Sequence, residues 1–440
     1  MARSVHLIGI CGSGMSSLAL WYRSRGYVVT GCDSDAGENR SELSAKGIQV
    51  FEGHDPDHIR DAEEVVFSAA IPHDHPEIVH SLKKGIKVLR RSEALAELAN
   101  DTTLLAVAGA HGKTTTTAMT GWILQETDLD PTVMLGGRVS QWNGNFRSGS
   151  DLTVVEADEY DRAFLHLRPM SAAITSFAIE HLECYGSPEA LSVAFGIFLE
   201  MTRPGGAVIV PYKNRNLARW AERIGRRVIT TGTKGDILCK RIRIDSWEQE
   251  YQIGDITGIL PLPGEHNLRN AETAIALAST VGVDIADSIR ALRSFPGVSR
   301  RLERIGEFGS AIVLSDYAHH HDEISAALQG VSQVSNGKIC VVFQPHLYSR
   351  TAAHAEEMGR ALSSADWSLI LPVYPAREKP IEGVNNSLIV DAVRRAGGTC
   401  DACFHEELKP LLSGMQADVI VFMGAGSVDQ YARRIVRGGE

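Results

Sequence analysis

The chain has 440 residues, 44% of them hydrophobic and 22% charged, which suits a globular protein of two or three domains rather than one core. The formal net charge is −10, an acidic balance that argues against broad nucleic-acid binding but leaves room for locally held phosphate ligands. No apolar run reaches the roughly 18 residues of a membrane span, and the N-terminus enters a strand pattern directly, so neither a membrane segment nor a signal peptide is expected. The seven cysteines are scattered, and Cys400/Cys403 is the only CxxC pair, so buried bystander thiols in a reducing cytoplasm are expected.

In chain order, apolar runs alternate with helical stretches, the pattern of α/β layers with mostly parallel sheets. In a first block, residues 1–100, Val5–Ile10 reads as a strand, Met15–Arg25 as a helix and Val28–Gly31 as a second strand ending near Asp33. Val65–Ala69 and Lys87–Leu89 read as later strands. In a second block, 101–297, Leu104–Ala108 reads as a strand running into a Gly-rich loop and a Thr-rich helix start. Leu152–Val155, Ala172–Thr175 and Ala207–Pro211 read as further strands, residues 232–260 as a peripheral antiparallel patch, and Asn267–Val281 as a helix. Ser294–Gly297 is the best linker. A third block, 298–440, carries strands at Ala311–Leu314, Ile339–Phe343, Leu369–Pro372 and Val419–Met423.

The strongest local signal is Gly109-Ala110-His111-Gly112-Lys113-Thr114-Thr115. Glycines let backbone N–H groups turn toward a phosphate, and the helix start adds partial positive charge. Lys113 supplies a point charge, and a hydroxyl of Thr114 or Thr115 can ligate Mg²⁺. The common P-loop pattern wants Gly where Val107 stands, so a Gly-rich turn with a solvated Lys113 is the competing reading. Gly9, Gly12 and Gly14 after the first strand, with Asp33 ending the second, fit a dinucleotide turn and a ribose-binding acid. That block by itself admits a nicotinamide oxidoreductase, a UDP site or a bare βα turn.

Residues 156–161 place four acids, Glu156, Asp158, Glu159 and Asp161, in six positions after a strand, where carboxylates can hold the Mg²⁺ that bridges phosphates. His181 lies among acids after the next strand and is by itself ambiguous. His319, His320 and His321 are consecutive, so they do not easily face one ion, and an anion- or substrate-contacting loop is the favoured reading. The run Gln344-Pro345-His346-Leu347-Tyr348-Ser349-Arg350-Thr351 suits carboxylate or phosphate recognition.

Together these motifs resemble the Mur ligase family, over nearly the whole chain and in the same order. The carriers are Gly9–Ser16, Gly109–Thr116, Glu156–Asp161 with Phe164–Leu167, Pro263–Asn267 with Asn270, Arg300-Arg301, Asp316–His320, Gln344–Thr351, Tyr374–Glu378 and Gly424–Gly426. The resemblance implies a Rossmann-like N-terminal domain, a central P-loop-like ATPase domain and a Rossmann-like C-terminal α/β domain. It implies ATP and Mg²⁺ as cofactors, UDP-N-acetylmuramate and L-alanine as substrates, and amide formation through an acyl phosphate in peptidoglycan synthesis.

By the same resemblance, Gly9, Gly12, Ser13, Gly14, Met15 and Asp33 hold the UDP-sugar. Gly109, His111, Gly112, Lys113, Thr114, Thr115, His266, Asn267, Asn270, Arg301 and Asp316 face ATP. Thr114, Glu156 and His181 hold metal, and Tyr317, His319 and Arg350 face the acyl and amino-acid groups. Lys113, Glu156, His181, His319 and Arg350 are the catalytic set. A cytoplasmic monomer or homodimer, binding neither nucleic acid nor membrane, is implied. Departures from the family pattern are Ala110, Ser176, Ala178, Ser315, His321 and Leu347. The alternatives are a tripeptide ligase on the same sugar, a nicotinamide oxidoreductase, and a homologue with reduced catalysis.

Overall fold

A computed structural model of the chain describes residues 3–34, 37–178, 182–376 and 378–438. They form two compact units, one of residues 1–239 with 269–295 and the other of 240–268 with 296–440.

The first unit holds two sheets. Strands β1 (Ser4–Ile8), β2 (Val28–Asp33), β3 (Gln49–Glu52), β4 (Glu64–Phe67) and β5 (Lys87–Arg90) form a parallel sheet ordered β3-β2-β1-β4-β5. Strands β6 (Thr103–Ala108), β7 (Thr132–Val139), β8 (Gly144–Arg147), β9 (Leu152–Glu156), β10 (Ser171–Ile174), β11 (Ala207–Pro211) and β12 (Arg227–Thr231) form the second, ordered β12-β11-β10-β6-β9-β7-β8. Only β8 in it runs antiparallel to its neighbour. Beyond the exposed Thr103, the central strands are buried and consist mostly of Val, Ile, Leu and Ala, as helices on both faces of a parallel sheet require.

In the second unit β13 (Lys240–Asp245), β14 (Glu248–Ile253) and β15 (Ile256–Leu260) make an antiparallel sheet, the patch expected within 232–260. Strands β16 (Glu303–Phe308), β17 (Ala311–Asp316), β18 (Ile339–Phe343), β19 (Trp367–Ile370), β20 (Cys400–Ala402) and β21 (Val419–Met423) form a sheet ordered β16-β17-β21-β18-β19-β20, parallel except at the β16 edge. The α/β class inferred from sequence is the class observed. Most strand ends differ from expectation by one or two residues, and two of them have a plain cause. β1 stops at Ile8, because Gly9 takes φ 78° and turns the chain. β19 stops at Ile370, short of Pro372, which has no N–H to give a ladder.

All seven cysteines are free thiols. Cys400 and Cys403 are buried, and burial pushes both thiols up to about 12, which keeps them protonated and inert. Among the described residues no helix is long and apolar enough to cross a membrane.

Candidate active site

Parallel strands deliver the loops after their C-terminal ends to one edge of a sheet, and ligands sit there. In the first unit the loop after β6 is the expected phosphate loop. Gly109 has φ 130° and Gly112 has φ 82°, conformations that side-chain-bearing residues avoid. A Cβ on Gly109 would lie 2.4 Å from Thr175 Oγ1, and one on Gly112 would lie 2.3 Å from Asn270 Oδ1. The loop is therefore cramped from behind, and its open side faces outward. The helix Lys113–Glu126 starts at Gly112 without a side-chain cap, so its first N–H groups stay available to an anion. His111 is anchored through its main chain, its N–H donating to Ser176 Oγ at 2.8 Å and its carbonyl accepting from Thr175.

Lys113 Nζ donates to Gly109 O at 2.7 Å and to both Glu159 oxygens at 2.8 and 2.9 Å. Burial pulls this ammonium down, but Glu159, Asp158 and Glu156 outweigh it and hold Lys113 above the usual range, hence charged. Thr114 Oγ1 donates to both oxygens of Glu156 at 3.0 Å, and the Gly136 N–H donates to Glu156 Oε2 at 2.7 Å. A hydroxyl and a carboxylate adjoining at a helix start are hard oxygen donors, which fits Mg²⁺. Thr115 is buried in the same helix, and Asn270 Oδ1 accepts from Thr116 Oγ1 at 3.4 Å. His181 lies outside the described residues.

One prediction follows from the cramped loop. Gly109→Ala should cost about 1–3 kcal/mol, because backbone of Ser176 also stands 2.8 and 2.9 Å from the added carbon. Thermal unfolding should fall by a few degrees and the KM for ATP should rise. An unchanged melting temperature and KM would show that the loop yields freely.

The N-terminal turn sits in the same unit. Gly12 precedes the helix Ser13–Ser24, again without a side-chain cap. The Asp33 carboxylate accepts the Cys11 N–H at 2.8 Å and so braces the glycine turn. The Gly14 position faces the Arg91 guanidinium, 2.9 Å from where a Cβ would be. Met15 is turned into the core, so Gly12 and Ser13, with the half-buried Gly14, form the turn's surface. Ser13 Oγ donates to Gly136 O at 2.9 Å, and Asn145 Nδ2 donates to Ser13 O at 2.8 Å. Gly136 thus adjoins both Ser13 and Glu156. Sequence reasoning missed Glu159 as the partner of Lys113, together with Arg91, Gly136 and Asn145. Glu159 was visible as part of the acidic run, whereas nothing local marks the other three.

In the second unit the loops after β17, β18 and β21 gather at one sheet edge. Asp316 ends β17, and its carboxylate accepts the N–H groups of Leu302 at 2.8 Å and Ala318 at 2.7 Å. Burial raises it to about 6, partly offset by Arg301. Arg300 donates to Gly424 O at 2.6 Å and Gly426 O at 3.1 Å, and the guanidiniums of Arg300 and Arg301 lie 4.7 and 5.2 Å from the Tyr317 ring. His319 Nδ1 is 2.9 Å from Tyr317 O and 3.4 Å from Glu323, and burial keeps its ring below the ordinary imidazole range. His346 stands 3.4 Å from Arg350 and stacks on Tyr374. Leu347, at the start of the helix Tyr348–Leu362, holds φ 70°, a strained value for a branched residue.

His320 and His321 are joined by His354 of that helix, and one ring nitrogen from each lies within 4.8 Å of the others. His319 takes different partners from its two neighbours. His266 is half-buried and lowered to about 4, chiefly by desolvation and then by Arg301. Asn267 donates to Pro263 O at 2.7 Å. Arg300 was named only as part of a motif, without a role, and Glu323 is a further member that sequence reading left out of the site.

A parallel-sheet chain with a lysine-bearing phosphate loop, a Thr/carboxylate pair at its mouth and a cationic loop cluster defines a nucleotide-dependent ligase class. The chain belongs to the Mur ligase family: residues 4–103 match its catalytic domain, 107–278 its middle domain and 300–426 its glutamate ligase domain. It is similar to the UDP-N-acetylmuramate–L-alanine ligase of Agrobacterium fabrum, at 38% identity over 97% of this chain and 95% of that one. Among solved structures it resembles the UDP-N-acetylmuramate-alanine ligase of Thermotoga maritima, with a TM-score of 0.85, 30% identity and 99% and 98% of the two chains covered. A murein peptide ligase from Psychrobacter arcticus gives a TM-score of 0.72 at 25% identity over 99% and 98%.

Proposed function

We infer that this chain is an ATP-dependent ligase that joins L-alanine to the carboxylate of UDP-N-acetylmuramate, a step in peptidoglycan precursor synthesis. The observation that carries this reading is end-to-end likeness to alanine ligases, coupled with the Lys113–Glu159 and Thr114–Glu156 pairs at one strand edge. Residues 1–100 take the sugar nucleotide, 101–297 take ATP, and 298–440 take the amino acid. The enzyme works in the cytoplasm, as a monomer or homodimer.

A carboxylate is a poor acyl donor, so one of its oxygens must become a leaving group. Phosphorylation by ATP does this, and the resulting acyl phosphate meets the alanine amine. Lys113 and the open N–H groups of its helix neutralise charge on the transferred phosphoryl group. Glu159 keeps Lys113 charged and aimed along the loop. Thr114 and Glu156 would hold one Mg²⁺ and His181 a second, and the metal would supply charge neutralisation for the phosphates. The helix start of Ser13 and Gly14, beside Arg91, receives the diphosphate of the sugar nucleotide, and Asp33 faces its ribose. His266, Asn267, Asn270, Arg301 and Asp316 position the nucleotide of ATP.

The amine of alanine must lose a proton before or as it attacks. In the tautomer that donates Nδ1–H to Tyr317 O, His319 has Nε2 free to accept one, and burial keeps that ring neutral. Tyr317 lines the acyl side, and Arg350 grips the amino-acid carboxylate.

Phosphate release from ATP, measured with UDP-N-acetylmuramate and each candidate amine, tests the reading. Release that requires L-alanine is expected. Release with the muropeptide-type tripeptide but not with alanine would move the chain to the peptide ligases. No release with any amine, with ATP binding intact, would make it a binding homologue.

A further inference from the structure

Glu77 has no exposed surface, yet no lysine or arginine among the described residues pairs with it. It sits in the first turn of the helix Pro76–Lys83, and the groups around it come from three other places in the first sheet. His54 Nδ1, from the loop after β3, is 3.1 Å from Glu77 Oε2. Cys32 Sγ, near the end of β2, is 3.2 and 3.3 Å from the two carboxylate oxygens and 3.3 Å from His54 Nδ1. His75 Nδ1, from the residue before the helix, is 3.6 Å from Oε2, and His58 Nδ1 is 3.7 Å from Oε1. The Asp55 N–H donates to Oε1 at 3.2 Å.

The nitrogens His58 Nδ1 and His75 Nδ1 are buried and have no hydrogen-bond partner, and neither has His6 Nε2; one ring nitrogen of His6 lies within 4.8 Å of ligand atoms of Cys32 and Glu77. Each unsatisfied buried nitrogen carries an uncompensated desolvation penalty, and a buried carboxylate without a full counter-charge carries a larger one. A single divalent cation at Glu77 would relieve part of this by taking the His54 and His75 lone pairs, neutralising Glu77 and displacing the Cys32 proton.

The spacing also suits an ion. Donors on a tetrahedral zinc, bonded at about 2.0–2.3 Å, stand roughly 3.3–3.7 Å from one another. The atoms that face Glu77 Oε2 lie at 3.1 Å for His54, 3.3 Å for Cys32 and 3.6 Å for His75. A set of imidazole, thiolate and carboxylate selects zinc-class transition metals over Mg²⁺. We propose that Cys32, His54, His75 and Glu77 form a structural zinc-class site, distinct from the oxygen donors Thr114 and Glu156. The site ties the end of β2, one residue before Asp33, to the loop after β3 and to the helix Pro76–Lys83. Burial and then Glu77 push the Cys32 thiol up, so in the metal-free protein it is a protonated donor, and binding releases one proton.

Titration of the full-length, chelator-treated and dialysed protein with Co²⁺ tests this. One equivalent should bind with the visible absorption of a tetrahedral site and a near-ultraviolet thiolate-to-cobalt band. Zn²⁺ should displace it and raise the melting temperature. Cys32→Ser should abolish the near-ultraviolet band. His75→Asn, at a side chain 13% exposed and so mild for folding, should weaken binding roughly tenfold or more. His354→Ala should leave the spectrum unchanged, since it belongs to the other histidine group. Absence of the thiolate band, or Co²⁺ binding that survives His75→Asn and is lost in His354→Ala, would overturn the assignment. If Cys32→Ser does not fold, the thiolate band of the unsubstituted protein and the His75→Asn affinity still decide it.

Discussion

Lys113→Ala should lower turnover by about 10³-fold or more, roughly 4 kcal/mol of transition-state stabilisation, while leaving UDP-sugar binding in place. The lysine is the only Lys or Arg of the loop Gly109–Thr115, and Gly109 O and Glu159 fix its ammonium beside the loop backbone. The substitution also leaves Glu159, whose side chain is 3% exposed, without its cation, at a cost of about 3–5 kcal/mol of stability. The two effects are separable. Adding Glu159→Gln to Lys113→Ala should restore much of the melting temperature but none of the turnover. Titration calorimetry with the UDP-sugar shows whether the fold at the N-terminal turn survives. Near-normal phosphate release from a folded Lys113→Ala protein would remove the ATP-loop assignment.

Replacing Arg350 by lysine should raise the KM for alanine by about 10–100-fold and leave the KM values for ATP and UDP-sugar nearly unchanged. Alanine offers an amine, a methyl and a carboxylate, and the amine must stay free to attack. The carboxylate is therefore the group to hold, and a guanidinium holds it with two parallel hydrogen bonds that an ammonium cannot reproduce. Two acids of its own helix that an arginine at a helix start could pair with are already engaged, Glu356 with Arg395 at 2.5 Å and Glu357 with Arg360 at 3.7 Å. Among the described residues Arg350 forms no ion pair, and its guanidinium stands 3.4 Å from His346, which burial lowers to about 4 and so keeps neutral. Leu347 stands where the family often carries a second arginine, which concentrates the task on Arg350. Steady-state kinetics with each substrate varied in turn checks this. If only the KM for ATP moves, Arg350 serves the nucleotide instead.

Local order was readable because it depends on local physics. Buried parallel strands are apolar runs, so Ile339–Phe343, Ala207–Pro211 and Val419–Met423 stood out residue for residue. The phosphate loop was readable because Gly109 and Gly112 serve backbone conformations that other residues avoid, and Lys113 follows at once. The acids of 156–161 were readable as a cluster, but not their division of labour. Glu156 meets Thr114 and Gly136, whereas Glu159, three residues on, turns to Lys113, and the kinked backbone at Asp161 and Arg162 follows directly.

The rest depends on which distant segments the sheets bring side by side. Asn145 reaches Ser13 across 132 positions because β8 adds antiparallel to the β7 edge beside the N-terminal turn. His354 reaches His320 and His321 because two helices of the second unit pack against each other, and so three consecutive histidines divide between two settings. Cys32, His54, His75 and Glu77 are unremarkable one by one, and only the order β3-β2-β1-β4-β5 closes them around one buried carboxylate. The sequence by itself determined the elements, the α/β class and the family, since these follow from periodicity, glycine placement and motif order. Tertiary structure alone decided the partners of the site's charges, because pairing across tens of residues, as between Lys113 and Glu159, is set by strand order and burial, which leave no local trace.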